Sequence, residues 1–189
     1  EGLENNVFCR VNSSNKILIV PITSNRGLCG AFNSNIVKET IRLTQNDYKA
    51  KDVEVLSIGK KGGDILSKLS TLKSRHDDLF DDLNFDNIEP AADLIMQKYR
   101  NKEYDKVVII YNRFKNTATQ IVTVENFLPI EGNGDNNKIK NHDTFFEPSE
   151  TEILNSLIPK SLKIKLYRTL RDSFASEHGA RMTAMHKAT

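Results

Sequence analysis

Between Lys16 and Thr23 the chain carries Ile17, Leu18, Ile19, Val20 and Ile22 almost without interruption, which predicts a strand buried on both faces with Pro21 near its end. The run gives way to turn chemistry, Asn-Arg-Gly-Leu-Cys-Gly at 25–30. Phe32, Ile36, Val37, Thr40 and Ile41 then recur at helical spacing up to about Gln45. Val53–Ile58 predicts a second strand, after which Gly-Lys-Lys-Gly-Gly-Asp opens a helix carrying Ile65, Leu66 and Leu69. The acidic stretch up to Asp86 reads as loop. Ile88–Arg100 has helical spacing at Ala92, Ile95, Met96 and Tyr99, and Lys106–Tyr111 is a third β-branched run. Strand and helix alternate, the signature of an α/β domain built on a mostly parallel sheet.

Thr117–Phe127 changes the pattern: Gln120, Thr123 and Glu125 stand among Ile121, Val122 and Val124, so an antiparallel strand is expected after a turn near Lys115-Asn116. Residues 131–142, rich in Gly, Asn and Lys, read as a flexible loop, and Thr144–Glu147 as one more short strand. Ser149 and Glu152 sit at capping-box spacing at the head of a helix that Pro159 is expected to interrupt. From Lys160 onward one helix of roughly 30 residues, roughly 45 Å long, is predicted. The domain division that follows is an α/β unit over 1–158 and the start of a long helix over 159–189.

That helix changes character along its length. Leu162, Leu166, Leu170 and Phe174 form a large apolar row by four-residue steps, suited to packing on a sheet or on neighbouring helices. Beyond them Ser176, Ala180, Ala184 and Ala188 make one row of small residues, and Ala175, Gly179 and Thr183 make another. Such rows admit a close backbone, and Gly179 in mid-helix costs about 1 kcal/mol against Ala unless contact offsets it. A partner helix is therefore expected, and no other segment is long enough to supply it. The plainer alternative is a helix rich in Ala because Ala forms helices well. The chain starts at Glu1 and shows no stop signal before Thr189, so it is expected to be a piece of a longer protein.

Composition narrows the classes. With 38% hydrophobic and 28% charged residues the chain reads as a globular protein, and no apolar run approaches the roughly 20 residues of a membrane span. A net charge of +2, from 27 basic and 25 acidic residues spread along the chain, does not indicate a nucleic-acid surface. Cys9 and Cys29 fit a reduced protein better than a disulfide scaffold.

Candidate chemistry is sparse. Gly27 and Gly30 after the first strand, and Gly59, Gly62 and Gly63 after the second, raise the question of phosphate binding, yet neither set completes a GxxxxGK[ST] or GxGxxG pattern. Tight strand-to-helix turns use glycine anyway. His178 and His186 stand eight residues apart with no third ligand nearby. Asp77, Asp78, Asp81 and Asp82 lack the ligand order of a calcium loop and read as a solvated surface. Cys29 belongs to no Cys-His-Asn set and reads as a structural thiol. No catalytic, cofactor-binding or metal-binding residue is assigned, and Arg26 in its turn is of more interest as a partner contact.

Three stretches carry a specific resemblance. Ser-Asn-Arg-Gly-Leu-Cys-Gly-Ala-Phe-Asn-Ser-Asn at 24–35 resembles the strand-to-helix turn of the gamma subunit of the F-type ATP synthase, where Asp is common at the place of Asn25 and Gly at that of Ala31. Leu-Ile-Pro-Lys-Ser-Leu at 157–162 and Ala-Ser-Glu-His-Gly-Ala-Arg-Met-Thr-Ala-Met at 175–185 resemble the beginning of its long C-terminal helix. With the order of elements between them, the resemblance extends over the whole chain.

The resemblance implies a Rossmann-like central domain at the base of an antiparallel coiled coil, without catalysis or cofactor of its own. It implies a rotor shaft that couples ion flow through a membrane ring of c subunits to nucleotide chemistry on alpha and beta subunits. The epsilon subunit is the further implied partner; nucleic acid is not one, and the membrane is met only through the c ring. The implied place is the cytoplasmic face of the bacterial inner membrane, with a mitochondrial or plastid equivalent left open. Partner-contact candidates are Arg26 and Leu28 in the turn and Ser176, His178, Ala180, Arg181, Ala184 and Met185 on the helix. Two other classes stay open: a nucleotide-binding α/β enzyme domain and a stand-alone adaptor domain.

Overall fold

The computed structural model describes residues 6–131 and 150–189. The predicted strand at 144–147, the Ser149 cap and nearly all of the 131–142 loop lie outside them. Among the described residues five strands form one sheet: β1 (Lys16–Pro21), β2 (Asp52–Ile58), β3 (Leu72–His76), β4 (Lys106–Asn116) and β5 (Thr119–Leu128), in the order β3-β2-β1-β4-β5. The first four are parallel and β5 returns antiparallel to β4 through a turn at Thr117–Ala118. Asn116 sets that turn, its Oδ1 accepting from the amides of Ala118 and Thr119 at 3.1 and 2.8 Å.

Among the described residues four α-helices cover the sheet: α1 (Phe32–Arg42), α2 (Lys60–Leu66), α3 (Phe85–Arg100) and α4 (Glu150–Ala188). Successive side chains of a strand point to opposite faces, so β1 feeds two cores at once. Leu18 and Val20 join Leu56, Ile95, Leu162 and Leu166 beneath α3 and α4. Ile17 and Ile19 join Ile36, Val37, Val53 and Ile110 beneath α1. Both faces are thus buried, as the unbroken apolar run of β1 requires.

Three expectations are corrected. Strand β3 forms where loop was expected. It is an edge strand whose Lys73 and Arg75 face solvent, and its polar sequence hides a pairing that only its neighbour β2 reveals. Pro159 does not interrupt the last helix, which runs through it as one element of 39 residues, about 58 Å long. The lost amide would have bonded the carbonyl of Asn155, an exposed residue, while Ile158 and Leu162 anchor the helix to the core across the proline. The turn of α1 also extends further than its apolar spacing implies, through a π-helical segment over Leu43–Asp47.

Candidate functional site: the strand-end crevice and the long helix

In a doubly wound sheet the ligand crevice opens beyond the C-terminal ends of the strands, where neighbouring connections diverge. Here that point lies between β1 and β4. The chain leaving β1 is gripped from both sides, the Ile22 amide donating to Ile110 O and the Thr23 amide to Ile58 O, each at 2.8 Å. Next comes the turn at 24–31. The Ser24 hydroxyl donates to Arg26 O at 2.6 Å, and the Asn33 side chain answers from α1, accepting from the Ser24 amide at 2.9 Å and donating to Ser24 Oγ at 2.8 Å and to Cys29 Sγ at 3.2 Å. Leu28 stands at φ 61° and is 74% exposed; Arg26 beside it is exposed too.

Asn25 uses both ends of its amide. Its Nδ2 donates to Asp77 O at 2.6 Å and its Oδ1 accepts from the Lys60 amide at 3.0 Å. An aspartate could make the second bond but not the first. Asn25 therefore ties the turn to the ends of β2 and β3 as a neutral staple.

The second glycine set, Gly59, Gly62 and Gly63, is pressed against protein atoms. A side-chain carbon on Gly59 would lie 2.1 Å from Thr23 O, and one on Gly62 2.6 Å from the Thr23 hydroxyl, which itself accepts from the Gly62 amide at 2.9 Å. The Arg75 guanidinium crowds Gly63 in the same way. These glycines admit protein rather than ligand. Arg75 in turn is held between Asp64 and Asp77 at 2.9 and 2.6 Å, two surface ion pairs whose carboxylates raise its pKa.

The helix α4 lies across the crevice. Ala180 is buried against Cys29 and Phe32, and Ala184 meets the turn at Gly30, where an added side-chain carbon would lie 3.9 Å from its Cβ. Across the helix, Gly179 packs on the β4–β5 turn so closely that a side-chain carbon would stand 3.2 Å from the Thr117 backbone and 3.3 Å from the Phe114 ring. Polar ties follow the same two sides. Arg181 Nε donates to Gly27 O at 3.3 Å, the Thr183 hydroxyl to Thr117 O at 2.9 Å, and the Phe114 amide to Asp172 Oδ1 at 3.1 Å. Glu177, only 5% exposed, accepts from Arg181 Nη2 at 2.6 Å, and Asn112 Nδ2 donates to Phe32 O at 3.0 Å. What remains open is a cleft of about 360 Å³ rimmed by Gly30, Asn112 and Ala184.

This placement divides the small-residue rows: Ala175 and Ala188 stay exposed, while others turn inward. Ser176 and Ala180 are buried in the chain's own domain and Ala184 is half-buried there, Ala180 and Ala184 lying against the glycine turn and Gly179 against the hairpin. Arg181 is turned inward to Glu177 and Gly27. The remaining candidates face outward: Arg26, Leu28, His178 and Met185. His178 rests edge-on against Phe174, ring centroids 4.4 Å apart, and Phe174 stacks on Phe80 at 6.2 Å. Met182, which sequence reading passed over, is 56% exposed, one turn from His178 on the same face, and Met185 is 51% exposed. The i,i+4 spacing of Glu177 and Arg181 was a signal for their pairing; the contact of Gly179 with Thr117, 62 positions away, left none.

Comparison with known proteins gives one consistent answer. A family model described as ATP synthase matches residues 2–189. The chain is 54% identical over 173 residues to an ATP synthase gamma chain of Christiangramia forsetii, covering 92% of this chain and 60% of that relative. It is 52% identical over 189 residues to that of Flavobacterium johnsoniae, covering 100% of this chain and 66% of the relative. Among solved structures it is similar to the central stalk and c-ring structure of Tetrahymena thermophila mitochondrial ATP synthase, with a TM-score of 0.76 and 30% identity over 98% of this chain and 84% of that one. The chain therefore spans about three fifths to two thirds of the curated relatives it matches.

Proposed function

The chain belongs to the ATP synthase gamma-chain family, and from that premise we propose that it serves as the central rotor shaft of an F-type ATP synthase, without catalytic chemistry of its own. The observation that carries this reading is the crevice crossed and narrowed by α4. The place where a doubly wound domain would hold a nucleotide is crossed by the chain's own helix, and that helix is about 58 Å long, more than a domain of this size needs. Nucleotide chemistry is then the work of alpha and beta subunits, and residues 1–158 act as a base from which 159–189 lead into the shaft.

The outward face of α4 is what a shaft offers its surroundings. His178, Met182 and Met185 form an exposed row of large, adaptable side chains at helical spacing, suited to a partner helix or to the inner wall of a ring. Arg26 and Leu28 project from the turn on the helix's inner side, the second contact of the same end. The base meets epsilon and the c ring at its other end, and the complex sits on the cytoplasmic face of a bacterial inner membrane. Among the described residues no helix is long and apolar enough to cross a membrane, which agrees with attachment through the ring.

The test is assembly. The full-length protein, mixed with separately purified alpha and beta subunits, should elute with them as one complex, and replacing Met182 and Met185 by Glu should weaken that complex. Elution of the unmodified protein alone, with alpha and beta assembling without it, would overturn the proposal.

A further inference from the structure

We propose that the cleft at the amino ends of β1 and β4, on the face of the sheet that α1 covers, is a binding site for a small amphipathic carboxylate. The inference stands apart from the rotor reading, because binding is measured on the protein alone.

The helix α1 runs back along the sheet, and its end widens into the π-helical segment Leu43–Asp47 before Tyr48–Lys51 turn into β2. That turn forms one wall of the cleft. The loop at 11–15 ahead of β1 forms a second, and the chain around Asn126–Glu131 at the end of β5 a third. Ile17 and Lys106, paired neighbours in β1 and β4, close it from the sheet. The enclosed volume is about 770 Å³, within the range of small-molecule sites. The walls are fixed by the chain's own bonds: Asn12 Nδ2 donates to Tyr99 O at 3.1 Å and to Tyr104 O at 2.8 Å, the Lys51 amide to Tyr48 O at 2.9 Å, and the Asp52 amide to Asn15 O at 3.0 Å. A ligand therefore need not order them.

The lining divides into an apolar part and a charged part. Val11, 74% exposed, stands with Ala50 and the half-buried Tyr48 ring, a surface for an apolar body. Hydrogen-bond accounting then decides the head. The carboxylates of the cleft are already met: Asp47 by Arg42 at 3.1 Å, Glu131 by Asn126 Nδ2 at 3.0 Å, and the buried Asp105 by the amides of Ser14 and Asn15 and the Ser14 hydroxyl. The cations are not. Among the described residues the half-buried Lys106 ammonium has no partner, and Lys51 reaches only Asp105, at 3.4 Å. A carboxylate that accepts from both lysines, with its apolar body against Val11 and Tyr48, supplies what they lack. With Asp105 and Glu131 in the same cleft, a single negative charge suits it better than a dianionic phosphate.

Decanoate is the probe, titrated below its micelle concentration into the full-length protein by isothermal calorimetry. A dissociation constant of about 1 mM or less is expected for a ligand of this size. Lys106→Met should weaken binding about tenfold and Lys51→Met by a similar factor. Lys49→Met, on the same turn but outside the cleft lining, should leave it within about twofold. Decylamine, with the same body and the opposite charge, should bind about tenfold more weakly than decanoate. Lys106 has no ion pair to lose, so its variant should melt within about 2 °C of the parent, which separates lost binding from lost fold. No saturable binding up to about 10 mM decanoate would overturn the proposal. So would binding that Lys106→Met leaves unchanged, or decylamine binding as tightly as decanoate.

Discussion

Arg181→Ala should be one of the more damaging substitutions of a partly exposed side chain, because it strands a buried carboxylate. Glu177 is 5% exposed and its cation partner is Arg181, at 2.6 Å. Removing one member of a buried ion pair costs about 3–5 kcal/mol; the Arg181 side chain is 24% exposed, which places this pair at the low end. The long bond to Gly27 O adds no more than about 0.5 kcal/mol. A loss of about 3 kcal/mol corresponds to a Tm lower by about 6–12 °C for a domain of this size. The assay is a double-mutant cycle in urea. Glu177→Gln alone should cost about 1 kcal/mol, since Arg181 reaches water, and the double variant should recover about 2 kcal/mol of the Arg181→Ala loss. A loss below about 1 kcal/mol for Arg181→Ala, or strict additivity of the two single variants, would refute the claim that a buried charge is being neutralised.

Leu166→Ala, at a fully buried position under the sheet, should cost about 2–5 kcal/mol by urea unfolding; a loss under about 1 kcal/mol would mean that the helix is not anchored there. Asn25→Asp should cost about 1–2 kcal/mol by the same measurement, because the Asp77 carbonyl loses its donor and a charge is added beside Asp81; a neutral or stabilising result would refute the staple. Burial, with Asp105 and Glu125 adding to it respectively, pushes the phenols of Tyr99 and Tyr111 up to about 12. A raised pKa stabilises the fold fully below the unfolded value near pH 10, and that stabilisation is lost as the pH rises from there towards 12. Burial also raises Tyr104, which donates to Glu54, and Tyr48, so tyrosine absorbance followed together with far-ultraviolet circular dichroism should show most of the five tyrosines ionising late, as the fold is lost; ionisation of Tyr99, Tyr104 and Tyr111 near pH 10 in an intact fold would contradict this.

Most of the sheet is legible in the chain because its strands are buried on both faces and carry continuous apolar runs, as at Ile17–Val20 and Val107–Ile110. Strand β3 is not, because an edge strand can afford Lys73 and Arg75 and its pairing partner lies elsewhere in the sequence. Pro159 misleads in the opposite sense: local preference breaks the helix there, and the anchors at Ile158 and Leu162 override it. The small-residue rows of α4 were read rightly as a demand for a close backbone. Which backbone answers depends on Gly30 and Thr117, more than sixty positions away, and periodicity within one helix carries no information about that distance. The outward row at Met182 and Met185 is legible only once the inward row has been placed.

The central claim is rotation, and the most direct measurement is to watch it. With Lys68→Cys as an exposed attachment point on the base, in a background without the native cysteines, a bead is fixed to the protein inside the complex of alpha and beta subunits held on a glass surface. The account predicts that ATP drives sustained rotation of the bead in one direction and that removing ATP stops it. ATP hydrolysis at a normal rate with the bead at rest or fluctuating without direction would contradict it.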